Sequence, residues 1–234
     1  MSKEISRRRL LAASSGLGLG LRAANVIGAD SESEQPGDPA ALLKRLADGN
    51  DRFVRDASRP EHVDREWRLR LTKQQHPYAT VLSCSDSRVP PELIFDEGFG
   101  DLFVIRVAGH AVAHDALGSL AYAAEHVRTR LFVVMGHEAC GAVTAAVDSL
   151  LGQLEEPEHI ESLVNLITPG LDRLNRQQPR KGLITAAVEA NVRWSMGQVA
   201  RCPQVAKLLD ANVASLQGAV YELETGRVRF LKTV

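Results

Sequence analysis

A disulfide framework is missing from this sequence: its 234 residues include only three cysteines, too few and odd in number for a scaffold stapled by paired bridges. An excess of either charge is missing too. The net charge is −1, so the totals carry no electrostatic footprint for nucleic acid or for a membrane surface. No apolar run reaches the ~20 residues that cross a bilayer, and no internal repeat or low-complexity tract occurs. What the sequence does have is length and 44% hydrophobic residues, enough for one substantial core, and one domain is the default at this size. The cysteines, not needed for bridges, are left for another use.

Charge is unevenly placed. Lys3, Arg7, Arg8, Arg9 and Arg22 against Glu4 make residues 1–29 basic and leave a mildly acidic remainder. That start reads "SRRRLL" at 6–11, then a short Gly-rich apolar run from Leu10 to Leu21, then small residues near Gly28 and Ala29. These are the parts of an export signal, and the paired arginines resemble the twin-arginine type. An amphipathic surface helix is the competing reading, weakened by Gly16, Gly18 and Gly20. The expectation is a signal over 1–29 leading to the periplasm, a polar linker over 30–37 and a single folded domain over 38–234. If the signal is not used, the protein stays cytoplasmic; no stable membrane insertion is expected after processing.

Asp38-Pro39 supplies an N-cap and a first-turn proline, and Leu42, Leu43 and Leu46 share one face before Gly49, so a helix starts here. A second helical stretch covers about 64–74. From Tyr78 the pattern changes to short apolar runs without polar alternation, "YATVLS" at 78–83, "LFVIRVA" at 102–108 and "LFVVMG" at 131–136. Such runs, separated by helical segments near 92–96 and 115–128, predict an α/β fold with a mostly parallel central sheet covered by helices on both faces. Further helices are expected at about 159–175 and 183–200, with Cys202-Pro203 as a break. "LQGAVYELETGRVRFL" at 216–231 closes the chain as two strands around a turn at Gly226, giving a C-terminal edge strand. The two leading helices precede every strand, so they pack outside the sheet or on another subunit.

Chemistry gathers at the strand ends. Cys84 follows the first strand, and His137 and Cys140 follow the third, at the end of a parallel sheet where ligands bind. Two thiolates and an imidazole suit zinc, and three protein ligands with an open fourth position mark a catalytic site. Asp86 can close that position as a fourth ligand, or Arg88, two residues on, can hold its carboxylate in a bidentate pair facing a metal-bound water. With two thiolates the site has no net charge and acidifies water less than a three-histidine site, so an oriented acceptor at Asp86 matters. Cys202 has no Cys or His beside it and reads as structural, as does His126. His110 and His114 follow the second strand; each is either a proton carrier to solvent or an ordinary packed or solvated histidine.

"CSDSRVP", "GDLFVIRVAGH" and "GHEACGAV", in this order and spacing, resemble the β-class carbonic anhydrases. "ALLKRLADGNDRF" at 41–53 is similar to that family's N-terminal helix and "GAVYELETGRVRFL" to its closing strands, so the resemblance covers nearly everything after the linker. It implies one zinc per subunit on Cys84, His137 and Cys140, a catalytic dyad of Asp86 and Arg88, and a substrate pocket shaped by the backbone at Gly141. The implied reaction is reversible hydration of CO2 to bicarbonate and a proton by zinc-bound hydroxide. The resemblance also implies a homodimer or dimer of dimers, with the N-terminal helices on the partner. Two positions depart from the family pattern. Val81 stands where some members carry the tryptophan of a non-catalytic bicarbonate site, although Arg106 resembles a second element of it. Glu97 is the nearest counterpart of a glutamine that many members place near the pocket.

Two other functions compete with that reading. The same site would serve hydrolysis of carbonyl sulfide or carbon disulfide, other linear heteroallenes. A non-catalytic zinc-binding protein, with Asp86 permanently on the metal, is the other, and it gives Arg88 no purpose.

Overall fold

The computed structural model describes residues 37–153 and 156–232. The segment read as an export signal, and all but the last residue of the linker, lie outside the described residues. One five-stranded sheet organises the rest, with strands β1 (Ala79–Ser83), β2 (Leu102–Arg106), β3 (Leu131–His137), β4 (Ser215–Tyr221) and β5 (Val228–Phe230) in the order β2-β1-β3-β4-β5. The first four run parallel and β5 returns antiparallel to β4. Every residue of β1 and β3 is buried. That is why neither run alternates: both faces of the central strands meet protein.

Helices α1 (Pro39–Val54) and α2 (Arg65–Leu71) lead the chain, and α3 (Pro91–Ile94) and α4 (His114–Tyr122) lie on either side of β2 in sequence. After β3 come α5 (Gly141–Leu150), α6 (Glu158–Ile167), α7 (Arg180–Ala200) and α8 (Pro203–Asp210). The long α7 lies against β3 and β4, and two glycines allow its close approach. A Cβ at Gly136 would sit 2.7 Å from Val192, and one at Gly218 2.5 Å from the Met196 sulfur.

Gly49 lies inside α1, where a Cβ would come within 1.9 Å of the Phe95 carbonyl oxygen. Several boundaries differ from the sequence reading. The helix expected over 115–128 ends at Tyr122 and continues as one wider π turn, Ala123–Val127, closed by left-handed Arg128. The stretch 159–175 divides into α6 and a 3-10 turn at Thr168–Leu171. Pro203 separates α7 from α8 but opens α8 as its first residue, a position that needs no backbone N–H. Among the described residues no helix is long and apolar enough to cross a membrane.

Candidate metal centre

Strand register brings the predicted donors together. Ser83 on β1 is level with Met135 on β3, so Cys84, the next residue, emerges beside Gly136 and His137. Cys140 follows at the N-cap of α5. The ligand atoms of Cys84, His137 and Cys140 all lie within 4.8 Å of one another, and all three residues are buried. Between the ligands of the second loop, Ala139 takes a left-handed backbone at φ 50°, a costly conformation for a residue with a Cβ. It turns the chain sharply enough for His137 and Cys140 to face one point.

Each donor is prepared by its surroundings. His137 Nδ1 donates to the Glu138 carbonyl at 2.8 Å, so the lone pair is left on Nε2. That Nε2 is buried and has no hydrogen-bond partner, a costly state for a polar atom that a bound cation relieves. The Cys84 sulfur accepts from the backbone N–H of Asp86 at 3.4 Å and of Gly109 at 3.3 Å. Its sulfur stands 4.0 Å from that of Cys140. The Cys140 thiol held against it keeps Cys84 well below the usual thiol range, with help from His137 and the two amides. The same shared hydrogen bond, with burial, pushes Cys140 up. The donor set and its orphaned nitrogen fit a thiophilic divalent cation.

Asp86 is turned to Arg88. The Arg88 backbone N–H and Nε donate to its Oδ1, each at 2.9 Å, and Nη2 donates to Oδ2 at 2.6 Å. Foremost through that pairing, the Asp86 carboxyl is held well below the usual carboxylate range. Its Oδ2 remains 3.9 Å from His137 Nε2, beside the donors without completing a set of four. Gly141 is exposed at the start of α5, and apart from its chain neighbours and its own helix backbone no atom lies within 4 Å of where its Cβ would be.

These features have counterparts in known proteins. Residues 79–228 match the family model described as carbonic anhydrase. A carbonic anhydrase of Mycolicibacterium smegmatis is 37% identical over 195 residues, covering 82% of this chain and 92% of the relative. The β-carbonic anhydrase CcaA superposes with a TM-score of 0.64 at 27% identity, covering 81% of this chain and 95% of that one. The chain belongs to the β-class carbonic anhydrases. Carbonic anhydrase 2 of Mycobacterium tuberculosis, another curated member of the family, is 34% identical over 200 residues, or 81% of this chain and 91% of that protein. The fold is shared also by the β-carbonic anhydrase of Coccomyxa, with a TM-score of 0.65 at 23% identity over 83% of this chain and 86% of that one.

Against this family background, several residues named from sequence lie elsewhere. Glu97 is not at the pocket of its own chain. Its carboxylate accepts from Tyr78 at 2.6 Å and from Arg45 on α1, and Tyr78 precedes β1, so Glu97 sits at the opposite end of that strand from Cys84. Val81 is fully buried within β1. His110 is not exposed to solvent. It is completely buried, its Nε2 accepts from Asn191 at 3.0 Å, and burial pushes its pKa down to about 4. His114 is exposed, the His126 ring packs at a tilt against Tyr122, and Cys202 is buried at the N-cap of α8. The sequence reading missed the Glu138 carbonyl and the Gly109 amide, and no sequence signal points to either, because every residue has those groups.

Proposed function

We propose that the chain catalyses reversible hydration of CO2 to bicarbonate and a proton, using one zinc ion per subunit held by Cys84, His137 and Cys140. The observation that carries this reading is Asp86. Three donors converge, and the nearby carboxylate is bound to Arg88 on three hydrogen bonds instead of joining them. Bound there, zinc supplies a Lewis acid that makes water a nucleophile near neutral pH. Asp86 accepts a hydrogen bond from the reacting water and fixes its orientation; as an ionised carboxylate it cannot donate, so it leaves the nucleophilic lone pair free. Arg88 holds that carboxylate in place and in its charged form. Gly141 opens α5, and a backbone amide at that end of a helix is suited to an oxygen that gains negative charge.

Assembly as a homodimer or dimer of dimers is part of the proposal. It is supported by exposed apolar side chains at Leu69, Leu93 and Phe99 and by the tetrameric β-carbonic anhydrases of Sordaria macrospora, which share the fold at a TM-score of 0.64 and 20% identity over 83% of this chain and 98% of that one. Export to the periplasm rests on the twin-arginine-like start of the sequence.

Stopped-flow CO2 hydration by the zinc-loaded protein tests the reaction across about pH 6.5 to 9, a range chosen around a zinc-water titration. Activity should track bound zinc and rise with pH. Arg88→Ala should keep its zinc and lose activity by about 100-fold, the upper range for a group that orients a metal site from outside it. No activity in the zinc-saturated wild type would refute the assignment and leave a zinc-binding protein or a heteroallene hydrolase.

A further inference from the structure

Loop 84–88 carries one metal donor, Cys84, and the dyad acid, Asp86, yet it lies outside the strand ladder that would fix its backbone. Arg106, the last residue of β2, reaches across to it. Ser83 and Arg106 are level in the β1–β2 pair, and the Val107 amide donates to the Ser83 carbonyl at 3.1 Å. From that anchor Arg106 Nε donates to the Cys84 carbonyl at 3.0 Å, and Nη2 to the Asp86 carbonyl at 2.6 Å. One rigid guanidinium thereby fixes the two carbonyls on either side of Ser85.

We propose that Arg106 is a positioning residue: it locks the backbone of loop 84–88 so that the Asp86 carboxylate faces Arg88 and stays off the metal. The inference rests on the reading of Cys84, His137 and Cys140 as metal donors. Asp86 stands at a short branch point, its Oδ2 being 2.6 Å from Arg88 and 3.9 Å from His137 Nε2. A small rotation of the loop moves the carboxylate from one partner to the other. Arg88 sits on the loop itself and would move with it, whereas Arg106 belongs to the sheet. The guanidinium on the sheet therefore sets the frame within which the Asp86–Arg88 pair forms. This also gives Arg106 a use that needs no bicarbonate beside it.

The test loads the full chain with Co(II), whose visible spectrum reports the number and type of ligands, and measures CO2 hydration by the zinc form in parallel. Wild type is compared with Arg106→Gln, Arg106→Lys and the double variant Arg106→Gln/Asp86→Ala. Arg106→Gln should bind as much cobalt as wild type and show d–d bands altered by an added carboxylate, with kcat down about tenfold or more and KM little changed. The double variant, with no carboxylate to deliver, should lose that spectral change. Arg106→Lys, able to reach one carbonyl at a time, should fall between wild type and Arg106→Gln. A wild-type spectrum and kcat in Arg106→Gln overturn the proposal. So does loss of cobalt or of folding in both single variants, which makes Arg106 part of the scaffold only. A wild-type protein without thiolate-to-cobalt absorption would instead remove the metal reading itself, and this inference with it.

Discussion

At the scale of single residues, the centre depends on side chains whose charge is set by what touches them. His110 shows this beside the donors, next to the Gly109 whose amide donates to the Cys84 sulfur. It is wholly buried, accepts from Asn191, and has a pKa depressed from 6.5 to about 4 because burial disfavours the imidazolium. As acid is added the unfolded chain therefore binds this proton before the folded one does. The stabilisation is complete above pH 6.5 and is lost as the pH falls toward about 4, a total of about 3 kcal/mol at ~1.4 kcal/mol per pKa unit. Urea unfolding of the metal-free protein between those limits should show a steeper loss of stability for wild type than for His110→Asn. Asparagine tolerates the left-handed backbone that His110 adopts at φ 45°. Parallel slopes for the two proteins would remove His110 as the cause.

At the scale of elements, the position of α1 is fixed by a few specific contacts. Gly49 brings the helix onto the Phe95 carbonyl. The next residue, Asn50, donates to the carbonyls of Ile94 at 3.1 Å and Gly226 at 2.8 Å and accepts from the Val228 amide at 2.8 Å. One buried side chain thus joins α1, the end of α3 and the β4–β5 hairpin, segments far apart in sequence. Asn50→Ala leaves three backbone groups without their partner and should cost about 2–3 kcal/mol, since a stranded polar group is worse than a lost bond. Thermal unfolding measures it. A loss under about 0.5 kcal/mol, typical of surface changes, would show that Asn50 does not join these elements.

At the scale of the whole molecule, β2 is one of the two edge strands of the sheet, with three of its five residues only partly buried. An edge strand left open is a hazard that proteins cover or blunt. Leu93 is 65% exposed and Phe99 52%, two apolar side chains in the segment that leads into β2. A second copy is the expected cover. Sedimentation at micromolar protein should report a dimer or a dimer of dimers, and Leu93→Arg should shift the distribution toward smaller species. A monomeric wild type would end the assembly reading.

How much of this was readable from sequence follows a physical division. Unalternated apolar runs revealed β1 and β3 because burial on both faces leaves no polar positions; β2 showed the same kind of run although it is only partly buried, and the residue types at Cys84, His137 and Cys140 stated their own chemistry. The Asp86–Arg88 pairing was readable too, since two residues in one short loop cannot lie far apart. The sequence alone therefore determined the fold class, the family and the cluster of Cys84, His137 and Cys140 that could hold a metal. Only the tertiary structure decided what depends on register and backbone. It placed Glu97 at the far end of β1, buried His110, made Gly49 a packing residue and brought the Arg106 guanidinium onto the carbonyls of Cys84 and Asp86. Those contacts run through peptide groups that all residues share and between segments distant in the chain, so no local pattern of side chains encodes them.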